Sequence, residues 1–212
     1  IDPHTHAVRG IFDVPTADNY LLQGVTTLTE GNDGSSPFPV GAHLARMTEA
    51  AISPNWAVFV GQGTIRGEVI GADDREPTPD ELDRMRALVA EAMEEGALGL
   101  STGLFYVPGS FTSTDEVIEL SKVVATHGGI YISHMRDEAQ GLLESVRETI
   151  RIGEDAGLPV QMTHHKVISR DMWGQSVESL ALVDAARARG IDITMDQYPY
   201  TASQTSINAL VP

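Results

Sequence analysis

The chain has 212 residues with 30 acidic against 14 basic side chains, a formal charge of −16, and no cysteine. That balance argues against nucleic acid, whose binding rests on Lys and Arg neutralising phosphates. The missing cysteines exclude disulfides and thiolate metal sites, so any metal must be held by nitrogen and oxygen. No apolar run approaches the ~20 residues that a membrane-spanning helix needs, and the compartment is left open.

Taken in order, the chain opens on Ile1-Asp2-Pro3, read as the tail of a strand, and then His4-Thr5-His6. Residues two apart on an extended chain point the same way, so the two imidazoles can converge on one ion. Residues 16–22 suggest a short helix, and Gly24 opens the apolar run Val25 to Glu30. A loop of turn formers follows, Gly31-Asn32-Asp33-Gly34-Ser35-Ser36-Pro37-Phe38-Pro39. Trp56 to Val60 reads as another strand.

From there a pattern repeats. Gly96, Gly128, Gly157 and Gly190 stand 32, 29 and 33 residues apart, each closing a helix-like segment and opening an apolar run. Thr78-Pro79-Asp80-Glu81 joins an N-cap, a first-turn proline and a capping-box glutamate. Ser113 and Glu116 make a second box of that kind. Apolar stripes at helical spacing follow: Leu82, Met85, Leu88 and Ala92; Val117, Leu120 and Val124; Leu142, Val146 and Ile150; Val177, Leu180 and Val183. Each is expected to face the core.

Strands are therefore expected near residues 1, 25, 57, 97, 129, 159 and 191. Strands alternating with helices at this spacing imply parallel βαβ units, and eight such units close a (β/α)8 barrel. Seven are counted, so an eighth unit is expected after Pro212. Two barrel edges left unpaired would also favour self-association.

The histidines gain meaning from this arrangement. His4 and His6, His134, and His164 all follow expected strands at the C-terminal ends, where the active sites of such barrels lie. We therefore expect a metal centre. His43 is expected to be solvated, His127 to end a helix, and His165 to face away from its neighbour His164. Two adjacent metals commonly share an anion, and residues 97–103 contain no lysine that could be carboxylated. A carboxylate beyond the second strand is left for the bridge, either Glu30 or Asp33.

Several runs together resemble a known family: His4-Thr5-His6, Gly31-Asn32-Asp33-Gly34, Ser101 to Gly109, Ser133-His134-Met135-Arg136, Thr163-His164-His165-Lys166 and Asp196-Gln197-Tyr198-Pro199-Tyr200. They look like the D-aminoacylases, the N-acyl-D-amino-acid deacylases of the amidohydrolase superfamily. The resemblance implies a zinc-dependent barrel, with one or two ions, that hydrolyses the amide of N-acyl-D-amino acids. It implies His134 and His164 as ligands of a tight zinc and His4 and His6 as ligands of a weaker one. Tyr106, Lys166 and Tyr198 match positions that hold the carboxylate of a small-molecule substrate.

The chain departs from the family at three places. Asp33 stands where better-known members carry the bridging cysteine, which favours it over Glu30. Gln62 replaces a histidine often found there, a change expected at the mouth of the site. The family's catalytic aspartate, at the end of the eighth strand, is expected beyond Pro212, and the small β-domain is also outside residues 1–212. The rival readings are another amidohydrolase activity (cyclic amidase, dipeptidase or deaminase) and an inactive barrel acting as a binding module.

Overall fold

The computed structural model describes residues 1–209. Its strands are β1 (Thr27–Glu30), β2 (Asn55–Val58), β3 (Val60–Gly61), β4 (Gly99–Gly103), β5 (Ile130–His134), β6 (Val160–Met162) and β7 (Ile193–Met195). All pairings are parallel, β1 with β2 in one sheet and β3-β4-β5-β6-β7 in order in the other. The two sheets are one arc with a handover at Phe59. Its N–H reaches back to Glu30 at 2.8 Å, while the carbonyl of Val58 accepts from Leu98 N at 2.8 Å. The third expected strand is thus two pieces, one serving each neighbour.

The first expected strand is reduced to a single bridge, Asp2 against Leu28. Asp2 donates to the Thr27 carbonyl at 2.9 Å and accepts from Thr29 N at 3.2 Å. Pro3 follows and has no N–H to extend the ladder. This early end lets the chain turn His4 and His6 over the end of β1.

The helices are α1 (Asp18–Leu21), α2 (Val40–Glu49), α3 (Gln62–Val69), α4 (Pro79–Glu94), α5 (Thr114–Thr126), α6 (Leu142–Ala156) and α7 (Ser176–Ala188). From α3 to α7 each packs beside the next in chain order. The Thr78 capping box of α4 is complete in both directions. At α5 only half forms. Ser113 Oγ accepts from Glu116 N, but the Glu116 side chain turns inward to Arg66 and to Gln62. A buried guanidinium outcompetes an exposed cap for that carboxylate, because a charge removed from water must be paired.

One core lies between the strands and helices. Val60, Leu100, Tyr131, Val160 and Ile193 from the strands meet Met85, Val89, Leu120, Val124, Val146 and Val183 from the helices. Each fully buried Val or Leu stabilises by about 1.5–3 kcal/mol, against ~1 kcal/mol for a cap. Burial therefore dominates, and the stripes of α4, α5 and α6 point inward as their spacing requires. The stripe of α7 does not. Val183 is buried, but Val177 is 74% exposed and Leu180 42%. Among the described residues α7 packs chiefly on α6, and Leu180 lines the cavity beside it. Among those residues β7 likewise pairs only with β6. None of the helices is long and apolar enough to cross a membrane.

His43 is a correction. It is 8% exposed, not solvated, and packs with its ring 6.2 Å from that of Phe12 and 6.1 Å from that of Trp56. It belongs to a second small cluster, Ile11, Ala17 and Met47 with Phe12 and Trp56 around them, that anchors the segment after His6. Sequence spacing hid this because α2 packs on an irregular segment with no period of its own. Burial, and then the charge of Arg46, hold the His43 imidazole below its ordinary value of 6.5. The unfolded chain therefore takes up this proton first as pH falls. Stability contributed by His43 is present above pH ~6.5 and is lost as pH falls through that value. Urea midpoints measured from pH 7.5 to 5 should fall for the parent and fall less steeply for His43→Leu. Equal slopes would exclude the effect.

Candidate metal centre

The site is assembled at the C-terminal ends of the strands, and its centre is Asp33. The loop carrying Asp33 leaves β1 and is clamped onto β4. Ser101 Oγ donates to the Gly31 carbonyl and accepts from Gly34 N at 3.2 Å. A Cβ on Gly34 would lie 2.7 Å from Gly103 N, and one on Gly103 only 2.2 Å from the Asp33 carbonyl oxygen. Only glycine permits this approach of two backbones. Asp33 itself sits at φ 58°, a left-handed conformation that Asp tolerates better than most residues.

Four imidazoles surround its carboxylate. Oδ1 lies 3.4 Å from His4 Nε2, 3.3 Å from His134 Nδ1 and 3.7 Å from His164 Nε2. Oδ2 lies 3.2 Å from His6 Nε2. Two three-ligand groups result, His4 with His6 and Asp33, and His134 with His164 and Asp33. They share the carboxylate. Burial pushes the Asp33 carboxyl up, but the surrounding histidines outweigh it and hold it far below the usual carboxylate range.

Sheet register brings the second pair together. His134 ends β5, opposite Gly103, and Thr163 N donates to the Ser133 carbonyl at 3.0 Å, which carries the chain past β6 beside it. His164 then takes a left-handed backbone, φ 40°, at a cost on the order of 1–3 kcal/mol. Asp196 holds it there, accepting from His164 N at 2.7 Å through Oδ1 and from Gln161 Nε2 at 2.7 Å through Oδ2. As a result His164 Nε2 stands 2.9 Å from His134 Nδ1. Burial lowers both imidazoles. For His134 that effect prevails, whereas Asp33 and Glu138 push His164 up to about 9.

The donor set suits a divalent transition ion, being imidazole nitrogen with one carboxylate. Two buried atoms in it, Asp33 Oδ1 and His4 Nδ1, have no hydrogen-bond partner among the described residues. Buried polar atoms are normally satisfied, so an ion fits what this cluster offers. Glu30 lies differently. It is buried, its Oε2 accepts from Val8 N at 3.1 Å, and burial pushes its carboxyl up. It joins neither three-ligand group.

Lys166 and Tyr198 line a cavity of about 870 Å³ beside α7, with the ammonium 5.6 Å from the Tyr198 ring centre. Tyr106 lines a separate cavity of about 1140 Å³ together with His6, Glu30 and Asp33, and its hydroxyl pairs with Thr205 at 3.1 Å. Its ring meets His134 edge-on, with centres 4.7 Å apart. Lys166 thus meets the histidine cluster at His164 and Tyr106 meets it at His134. Gln62 is fully buried away from the mouth, bonded at 2.8 Å to both Thr112 and Glu116. His165 turns back to Ser179, 2.9 Å away, as expected of a residue facing opposite to His164.

Sequence reasoning missed Glu138. Its carboxylate is buried between His164 Nδ1, at 3.1 Å, and Lys166 Nζ, at 2.5 Å. The available signal was its place, four residues past His134 in the loop that leaves the strand.

No protein-family model matches the chain. A D-aminoacylase of Alcaligenes xylosoxydans xylosoxydans is 38% identical over 98% of this chain and 47% of its own length. The solved N-acyl-D-glutamate deacylase of Bordetella bronchiseptica, complexed with zinc and a phosphonate inhibitor, superposes with a TM-score of 0.88 at 32% identity. The match covers 94% of this chain and 47% of that one. This chain belongs to the D-aminoacylase family of amidohydrolases. A D-aminoacylase structure described for its binuclear metal centre gives a TM-score of 0.85 at 37% identity, again over 94% of this chain and 47% of the other. The arc of parallel strands is therefore part of an amidohydrolase (β/α)8 barrel, and the chain spans about half the length of the D-aminoacylases it matches.

The clamp on Asp33 can be tested without any metal. Gly103→Ala should destabilise by about 1–3 kcal/mol through overpacking against the Asp33 carbonyl. Gly67→Ala, on α3 with nothing within 4 Å, should stabilise by about 0.5–1 kcal/mol. Urea unfolding reads both, and equal effects would refute the clamp.

Proposed function

We propose that this chain is the metal-binding part of a zinc-dependent hydrolase that cleaves N-acyl-D-amino acids to a carboxylic acid and a D-amino acid. The observation that carries the reading is one carboxylate shared by two histidine pairs at the strand ends. Further support comes from relatives named for N-acyl-D-amino-acid deacylation and from the zinc named with one of them. Residues 1–212 would contribute seven βα positions of the barrel.

His134, His164 and Asp33 would hold the tighter ion, and His4, His6 and Asp33 the weaker, with Asp33 rather than Glu30 as the bridge. A divalent ion held there would polarise an amide carbonyl and bring the pKa of water towards ~7. The remaining work falls to side chains. Lys166 and Tyr198, which share one cavity, would fix the substrate's free carboxylate, so that the scissile amide is presented to the histidine cluster; Tyr106 lines the other cavity, against His134. Tyr106 also shields His134 from water with its ring. The leaving amine needs a proton from a positioned acid, a contribution of typically 10²–10⁴-fold. Both Asp196 oxygens are already engaged by His164 N and Gln161, so Asp196 is poorly placed to supply it.

Elemental analysis and an assay on paired N-acetyl-D- and N-acetyl-L-amino acids test the proposal. Zinc should copurify, and hydrolysis should favour the D enantiomer and stop on chelation. His134→Ala with His164→Ala should lose the tight zinc. Asp33→Ala should weaken both sites, while Glu30→Ala should keep its metal. Absence of zinc with no hydrolysis of either enantiomer would refute the function; metal lost in Glu30→Ala but kept in Asp33→Ala would refute the bridge.

A further inference from the structure

Glu138 lies outside both three-ligand groups, yet its position is fixed from several directions. It is 5% exposed. Its carbonyl accepts from Ile168 N at 3.0 Å, tying the loop after β5 to the loop after β6. Its neighbour Asp137 accepts from Ala139 N at 2.6 Å and from Gly141 N at 2.9 Å, and donates its own N–H to Ser145 Oγ at 2.9 Å. The loop is thereby held against the start of α6, and the Glu138 carboxylate has little freedom to turn elsewhere.

Each of its oxygens meets one partner, Oε1 the His164 Nδ1 and Oε2 the Lys166 ammonium. Those partners also crowd each other, since Lys166 Nζ is 2.9 Å from His164 Nδ1 and 3.2 Å from the His164 carbonyl. An ammonium carries only donors, so Lys166 can approach Nδ1 favourably only if that nitrogen is bare. A bare Nδ1 on neutral imidazole puts the proton on Nε2, the atom turned towards Asp33. Nε2 could then ligate nothing. A carboxylate at Nδ1 does the reverse: it accepts Nδ1–H and leaves the Nε2 lone pair free.

We propose that Glu138 is a positioning residue that sets the tautomer of His164 and pairs the Lys166 ammonium that crowds Nδ1, so that Nε2 is available as a metal ligand. The inference rests on the metal reading above and adds a residue to it. One carboxylate performs both tasks, and its two oxygens are both needed. Lys166 consequently stands in the cavity already paired, and a substrate carboxylate would share the ammonium with Glu138 rather than meet an isolated cation.

The test is zinc affinity, measured on the full chain by competition with a chromophoric chelator, with Co(II) absorption as a second readout of ligand geometry. Glu138→Ala should weaken zinc by about 10–100-fold, the usual effect of removing such a partner. Lys166→Met alone should bind zinc like the parent. The double variant Glu138→Ala/Lys166→Met should recover much of the lost affinity, because no ammonium remains to claim Nδ1. A merely structural role for Glu138 predicts no such recovery. Glu138→Gln, which keeps the shape, should fall between parent and Glu138→Ala, and is the variant to read should alanine unfold the loop. Zinc affinity unchanged in Glu138→Ala, or weakened with no recovery in the double variant, overturns the proposal alone. A parent that binds no zinc, or a His164→Ala variant that binds it fully, overturns the metal reading and this inference with it.

Discussion

The site depends on one anion placed among four imidazoles. Without Asp33, His4, His6, His134 and His164 would be mutually repulsive whenever more than one was protonated, in surroundings that screen charge poorly. With it, each has a negative neighbour within 3.2–3.7 Å. Much of the local architecture serves to keep that carboxylate in place. The β4 strand gives up side-chain volume at Gly103 to admit the Asp33 backbone, and spends the Ser101 hydroxyl on both flanks of the loop. Asn32 adds a second tie, donating to the Thr5 carbonyl at 3.0 Å and so linking the loop to the segment that carries His4 and His6.

Charge inside the molecule follows a rule that the formal charge of −16 conceals. The buried cations each have a dedicated acid. Arg66 pairs with Glu116, both at most 1% exposed, and Lys166, only partly buried, pairs with Glu138. Half-buried Arg136 is held bidentately by Glu148 and also donates to the carbonyls of Ser110 and Thr112. These pairs are weak arguments for stability, since desolvation offsets much of their attraction. Their effect is on position. Arg136 ties the loop that follows β4, and with it Tyr106, to α6. Arg66 secures the carbonyls of Asp73 and Arg75 ahead of α4.

Legibility in the sequence followed the range of the interaction. The helix closures at Gly96, Gly128, Gly157 and Gly190 were readable because a left-handed residue is a local demand, met at φ 110°, 71°, 71° and 92°. The histidines were readable because parallel strands place their C-terminal ends together whatever the helices do. Interactions between elements were not. Nothing around His43 announced that Phe12 and Trp56 would close over it. The Ser113–Glu116 spacing promised a reciprocal cap, and a guanidinium 50 residues away took the carboxylate instead. Val177 and Leu180 have helical spacing, but spacing identifies an apolar face and not what covers it.

His164 brings these levels together. Its backbone is strained, and its side chain has two nitrogens with different tasks. Asp196, after β7, secures the main-chain N–H, while Glu138, after β5, meets the ring at Nδ1. One carboxylate fixes where the residue is and the other fixes which nitrogen is free. They come from the strands on either side of β6, so the register of three parallel strands is converted into the orientation of one imidazole. A single misplaced residue in β5 or β7 would turn one of these acids to the opposite face of the sheet. The precision of the cluster is therefore a property of the sheet, and the loops only transmit it.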